Sequence, residues 1–138
     1  VAADRRASPE NLSCDILVVD DNRHHLDIIA ALLEAGGHRV TACQSSAEAL
    51  RILAERAFDL VVLDMVMPDI NGFAVLRAMR AGGPNAQTPV FACTANYLLA
   101  RRELEGCFGV VEIIAKPIDA AQLLRAAAVI VPAGRDAA

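Results

Sequence analysis

The sequence predicts an α/β domain: a parallel sheet with helices on both faces. Short β-branched and aliphatic runs alternate with segments of helical periodicity, five of each. Clusters of Gly, Pro, Asn and Ser punctuate the joins. The connections hold helices, which leaves little room for hairpins and favours parallel neighbours.

Residues 14–20 form the first strand, an apolar run that closes on Asp20 and is followed at once by Asp21 and Asn22. From 23 to 35, Leu26, Ile29, Ala30 and Leu33 recur on one helical face, and Gly36-Gly37 supplies the stop. Residues 38–43 make a weaker second strand. Ser45 and Glu48 then fit a capping box, and Ala47, Leu50, Leu53, Ala54 and Ala57 mark the expected buried face of the second helix.

The third strand, 58–63, is a run of Phe, Leu and Val that reads as buried on both faces and delivers Asp64 where it emerges. Pro68 and Asn71-Gly72 break the chain, and a helix over 73–80 ends at Gly82-Gly83-Pro84. Residues 88–94 form the fourth strand and end in the Thr94 hydroxyl, and a helix is expected over 95–106. The fifth strand, 110–115, ends at Lys116-Pro117, and Leu123, Leu124, Ala127, Ile130 and Val131 line the last helix. One domain over 14–131 is expected, with tails at 1–13 and 132–138.

Hydrophobic residues make up 55% and charged residues 22% of the 138, the composition of a globular chain. The net charge is 13 − 17 = −4, without a basic stripe, which disfavours direct nucleic-acid binding. No run reaches the roughly 18–20 apolar residues that span a bilayer, and the first residues lack the apolar core of a signal peptide. A cytoplasmic setting without membrane contact is therefore expected. Cys14, Cys43, Cys93 and Cys107 show no metal-binding or redox spacing and are read as buried free thiols.

Ligands of open parallel sheets gather outside the carboxyl ends of the strands. By position alone Asp64 is either a site residue or a cap for the following helix. The other strand ends add Asp20 and Asp21, Thr94 and Lys116; only the second strand contributes nothing reactive. Three clustered carboxylates repel one another near neutral pH unless a cation neutralises them. Mg²⁺, or Mn²⁺ with similar ligand taste, suits one or two carboxylates together with a phosphate. Lys116 and Thr94 would then complete a shell for a phosphoryl group beside Asp64, with a carboxylate as nucleophile.

These motifs resemble the receiver domains of two-component response regulators over about residues 14–130. Val19-Asp20-Asp21-Asn22 is similar to that family's acidic pair, and the stretch from Asp64 through Met67-Pro68 to Gly72 to its phosphoacceptor turn. Thr94-Ala95 and Lys116-Pro117 resemble its hydroxyl and lysine. The resemblance implies a doubly wound, flavodoxin-like (βα)5 three-layer sandwich with strand order 2-1-3-4-5. It implies that Asp64 accepts a phosphoryl group from a histidine kinase or a histidine phosphotransfer protein. Asp21, Asp64 and the Val66 backbone carbonyl would bind Mg²⁺ directly, and Asp20 through water. Lys116 would hold the phosphoryl oxygens, aimed by a cis peptide at Pro117. Thr94 would report the event to a partner face formed by the fourth helix, fifth strand and fifth helix. Val66 and Asn96 stand where the family controls water access to the phosphoryl group.

The family's aromatic switch residue, three positions before the lysine, is here Ile113. Tyr97, the chain's one tyrosine, is the candidate displaced reporter. The stretch 91–97 resembles a receiver subgroup with Phe-Ala-Thr, then Gly, a variable residue and Tyr, apart from an inserted Cys93 and Ala95 for Gly. His24, His25 and His38 are read as surface residues, and Met65 and Met67 as packing. Val1 and the wording of the strand-four and Lys-Pro stretches suggest a receiver cut from a hybrid sensor kinase, whose parent chain would be a histidine kinase; a stand-alone regulator is the other setting. Two further classes compete. A haloacid-dehalogenase-type phosphohydrolase wants a second acid two residues after the nucleophile, where this chain has Val66. A binding module that uses the fold without phosphorylation takes its support from Ile113. No glycine-rich nucleotide loop follows any strand.

Overall fold

The computed structural model describes residues 13–68 and 70–132. The expected tails therefore lie outside the described residues apart from Ser13 and Pro132. Strands β1 (Asp15–Val19), β2 (Arg39–Cys43), β3 (Leu60–Asp64), β4 (Val90–Thr94) and β5 (Val110–Ala115) alternate with helices α1 (Arg23–Ala35), α2 (Ser46–Glu55), α3 (Gly72–Ala81), α4 (Tyr97–Leu104) and α5 (Ala120–Ala128). All pairings are parallel, and the sheet order is β2-β1-β3-β4-β5. The doubly wound fold is the one the resemblance implies.

Period-two alternation explains the three layers. Leu17, Val19, Val61, Leu63 and Ala92 face one core with side chains of α2, α3 and α4. Ile16, Val18, Leu60, Val62, Phe91 and Cys93 face the other, against α1 and α5. Both faces of β3 and β4 are buried throughout, which is why those strands read as continuous apolar runs. Near their start β4 and β5 slip register, since Val90 pairs with Val110 but Phe91 with Glu112. Val111 is the residue passed over, and its side chain is exposed.

Each helix begins with a side-chain cap on a main-chain N–H: Asn22, Ser45, Asn71, Asn96 and Asp119 accept from one or two amides of the first turn. Asn71 caps α3, so Asp64 is not its cap, and the alternative left by position falls away.

Several expectations need correction. The buried face of α2 is Ser46, Ala49 and Leu53, while Ala47, Ala54 and Ala57 are exposed. Because Ser45 stays outside as the cap, the stripe starts one residue earlier than periodicity from Ala47 suggests. Val131 lies beyond the end of α5 and is exposed. His38 is buried: the turn at Gly36-Gly37 folds it back so that its Nδ1 accepts the Cys14 N–H at 3.2 Å, and burial lowers its pKa. Cys14, Cys43 and Cys93 are buried thiols, but Cys107 is exposed in the α4–β5 loop. No described helix is long and apolar enough to cross a membrane.

Candidate functional site

The carboxyl edge of the sheet collects the reactive groups. Asp20 follows β1, Asp64 ends β3, Thr94 ends β4 and Lys116 follows β5. All but Lys116 are buried, with Asp20 1% and Asp64 and Thr94 each 4% exposed, which places them under rather than on the rim. The Lys116 ammonium lies 3.1 Å from Asp20 Oδ2 and 3.3 Å from Asp64 Oδ2. Carboxylate oxygens of Asp20, Asp21 and Asp64 lie within 4.8 Å of one another, and Asp21 is open to solvent.

Backbone amides fix the two buried acids. Asn22 N–H donates to Asp20 Oδ1 at 2.9 Å, and Val66 N–H donates to Asp64 Oδ1 at 3.1 Å. Each acid thus turns its second oxygen toward Lys116. Burial pushes the Asp64 carboxyl up to about 6, against the pull of the Val66 amide and Lys116, with the Asp20 charge adding to the rise. Burial works against the Lys116 charge, but the Asp64 and Asp20 carboxylates more than offset it and raise its pKa. Beneath them the Cys93 thiol is pushed up to about 12 by complete burial, so it remains a neutral packing group.

Thr94 Oγ1 accepts the Asn96 N–H at 3.0 Å and so closes the turn into α4. The Lys116–Pro117 peptide is cis. Among the described residues, the five predicted reactive groups therefore occupy one edge. Tyr97 and Ile113 do not join them. They line a separate hollow of about 210 Å³ together with Val110, Val111 and Glu112. Tyr97 is partly exposed at the first residue of α4, and Ile113 is half-buried on β5. Val66 is exposed, as are His24 and His25, which border a hollow of about 260 Å³ with Ile28, Lys116, Pro117 and Ile118.

One close approach at the site escapes pattern reading, although the glycine that permits it is part of the turn motif. Gly72 is the first residue of α3, and its N–H donates to Met65 O at 3.1 Å. A Cβ there would lie 2.6 Å from Met65 Cα and 2.8 Å from the Asp64 carbonyl. The Asn71-Gly72 pair announces a turn in the sequence, but the close approach of α3 to the end of β3 is a tertiary fact.

The family model described as the response regulator receiver domain matches residues 16–128. The chain belongs to that family. Among curated relatives, the receiver domain is 33% identical over 112 residues to the signal transduction histidine-protein kinase BarA of Escherichia coli (strain K12), covering 81% of this chain and 12% of that one. It is 38% identical over 106 residues to the transcriptional regulatory protein ZraR of Escherichia coli O157:H7, covering 76% of this chain and 23% of that one. It thus spans a minor part of the length of these relatives. Of solved structures, the receiver domain of sensor histidine kinase PA1611 from Pseudomonas aeruginosa PAO1, which has a magnesium ion coordinated in its active site cleft, is 31% identical with a TM-score of 0.75. That likeness covers 83% of this chain and 94% of the other. Vibrio cholerae chemotaxis protein CheY4, at 23% identity and a TM-score of 0.78 over 86% of this chain and 99% of the other, shares the fold.

Proposed function

We propose that this receiver domain takes a phosphoryl group onto Asp64 from the phosphohistidine of a histidine kinase or histidine phosphotransfer protein. The observation that carries the reading is the joint placement of Asp64, Asp20, Asp21, Thr94 and Lys116 at one sheet edge. An Asp64 carboxylate oxygen would attack phosphorus in line. The P–N bond breaks, and its electron pair leaves with the imidazole nitrogen. Lys116 faces the oxygen of Asp64 left free by the Val66 amide and is placed to neutralise the incoming phosphoryl oxygens.

The donor set fits Mg²⁺ or Mn²⁺: three carboxylates supply hard oxygen ligands, and a single ammonium leaves them with excess negative charge. Asp21, Asp64 and the Val66 carbonyl would hold the ion, with Asp20 acting through water. When bound, the ion would neutralise charge that builds on the transferring group. The apolar hollow beside Lys116, rimmed by His24 and His25, suits the flank of a helical phosphodonor.

Thr94 accepts the Asn96 N–H and keeps its own hydroxyl hydrogen to donate to the phosphoryl group, and turning toward that group would alter the start of α4. The α4–β5–α5 face would read that change, with Tyr97 standing in for the aromatic that Ile113 lacks. We place the domain in the cytoplasm, without direct nucleic-acid or membrane contact, most economically as one part of a hybrid kinase. Ile113 favours a second reading, a phosphorylation-independent binding module. Acetyl phosphate or beryllofluoride with Mg²⁺ separates the two. The switch requires modification of the intact chain that is lost in Asp64→Asn with the fold kept; an inert wild-type chain leaves the binding module.

A further inference from the structure

The segment between Asp64 and α3 leaves the sheet and returns to it. Met65 N–H donates to Cys93 O at 3.0 Å and Gly72 N–H donates to Met65 O at 3.1 Å, so entry and exit are pinned at the same residue. Between them Val66 is 73% exposed, whereas Met67 turns back into the core at 7% exposed. What meets the far end of this excursion is Ser46, the first residue of α2.

Ser46 is 1% exposed, and its hydroxyl donates to the Ile70 carbonyl at 2.6 Å across 24 residues. A hydroxyl carries one hydrogen, so the Met67 sulfur at 3.4 Å is a packing contact against the same oxygen. The capping of α2 is left to Ser45, whose side chain accepts the Glu48 N–H, so helix formation makes no demand on the Ser46 hydroxyl. Ser46 is in turn tied to the acidic turn, because Asp20 N–H donates to the carbonyl of Cys43 at the end of β2. Two hydrogen bonds, Asp20 N–H to Cys43 O and the Ser46 hydroxyl to Ile70 O, therefore link the Asp20-Asp21 turn through the start of α2 to the chain that follows Val66.

We infer that Ser46 is a positioning residue for the cation and phosphoryl site: its hydroxyl, against the Ile70 carbonyl and the Met67 sulfur, holds the chain that follows Val66 at a set separation from the Asp20-Asp21 turn. The inference rests on the reading that Asp64 and its neighbours bind a divalent ion. An ion shared by two segments binds more tightly when their separation is already set, since less order must be imposed on binding. Without the hydroxyl the pinned ends, the Val66 amide bond to Asp64 and the buried Met67 remain, but the Ile70 carbonyl loses the bond that ties it to α2.

The test is Mn²⁺ binding to the intact chain, followed by electron paramagnetic resonance or calorimetry, with unfolding midpoints measured in EDTA. Ser46→Ala should weaken Mn²⁺ about threefold to tenfold, the effect of one lost hydrogen bond, and Ser46→Thr should recover most of it. Thr88→Ala is the stability control. It removes the one hydroxyl hydrogen that Asn85 Oδ1 at 2.9 Å and Phe58 O at 3.2 Å share at the opposite sheet edge, and should leave Mn²⁺ affinity unchanged. If Ser46→Ala does not fold, Ser46→Cys, which keeps the volume and weakens the donor, carries the same expectation. Wild-type affinity in the Ser46 variants, or equal losses in Ser46→Ala and Thr88→Ala, overturns the positioning role and leaves the Asp64 reading standing. A wild-type chain that binds no Mn²⁺ removes that reading and the inference together.

Discussion

The Lys116 ammonium bridges Asp20 and Asp64, at 3.1 and 3.3 Å, with side-chain exposures of 16%, 1% and 5% for the three residues. Two buried carboxylates thus share one cation. Lys116→Met should therefore cost about 2–4 kcal/mol at pH 8 in EDTA, because removing one partner strands buried charge. Added Mg²⁺ should return part of that loss. Urea unfolding with and without the ion measures both effects.

Asp64 itself should make stability fall as the pH rises. Burial lifts its pKa to about 6 in the folded chain, above the ordinary carboxylate value. The folded state then holds the proton more tightly, so its contribution is complete below about pH 4 and is lost as the pH passes 6. Asp64→Asn should be more stable than the parent in EDTA at pH 8, by up to about 3 kcal/mol, and the gain should vanish toward pH 4. His38, whose pKa burial lowers, acts alike in both chains and cancels in the difference. Urea titrations at several pH values test this, and a constant difference across the range would contradict it.

The site was legible in the sequence because each reactive side chain stands at the end of an apolar run, and a parallel sheet brings such ends together. Asp20, Asp64, Thr94 and Lys116 needed no knowledge of packing beyond that. His38, Ser46 and Asn85 were not legible, since what buries them is a partner 24 or more residues away with no local pattern. The face of α2 was misjudged for a smaller reason: alanines and a serine carry too little hydropathy contrast to fix the phase of a short helix.

Asn85 ties the end of α2 to the start of β3 through three buried or part-buried hydrogen bonds. Its amide oxygen accepts from Phe58 N–H at 2.9 Å, and its nitrogen donates to Leu53 O at 2.7 Å and Arg56 O at 2.8 Å, all at the sheet edge remote from Asp64. Asn85→Ala leaves several buried backbone groups unpaired and should destabilise by about 2–4 kcal/mol. Acetyl-phosphate labelling of the fraction that remains folded should proceed at the parental rate. A large change in rate would place Asn85 in the functional machinery instead.

Gly72→Ala sets two effects against each other. Alanine favours a helix by about 1 kcal/mol over glycine. The added Cβ, however, would sit 2.6 Å from Met65 Cα and 2.8 Å from the Asp64 carbonyl, both backbone atoms that cannot rotate away. Overpacking of this kind costs about 1–3 kcal/mol, so the net sign should be destabilising. The strain falls on the Asp64-Met65 backbone, and labelling by acetyl phosphate should slow as well. A stabilised variant with normal labelling would mean that α3 shifts freely away from β3.

Tyr97 and Ile113 line one hollow of about 210 Å³ between α4 and β5, the space beside a β5 position where the family more often carries a ring. Tyr97 is 37% exposed at the edge of that hollow, which is the space its ring would enter if the turn at Thr94 tightens. On this account Tyr97→Ala should weaken phosphorylation-dependent partner binding several-fold while Asp64 labelling stays normal. Ile113→Phe, which fills the hollow from the strand side, should hold Tyr97 outward and reduce the difference between phosphorylated and free forms. The decisive comparison is partner affinity with and without beryllofluoride for all three chains. If neither substitution changes that ratio, Tyr97 only covers the start of α4, and the signal leaves the site by another path.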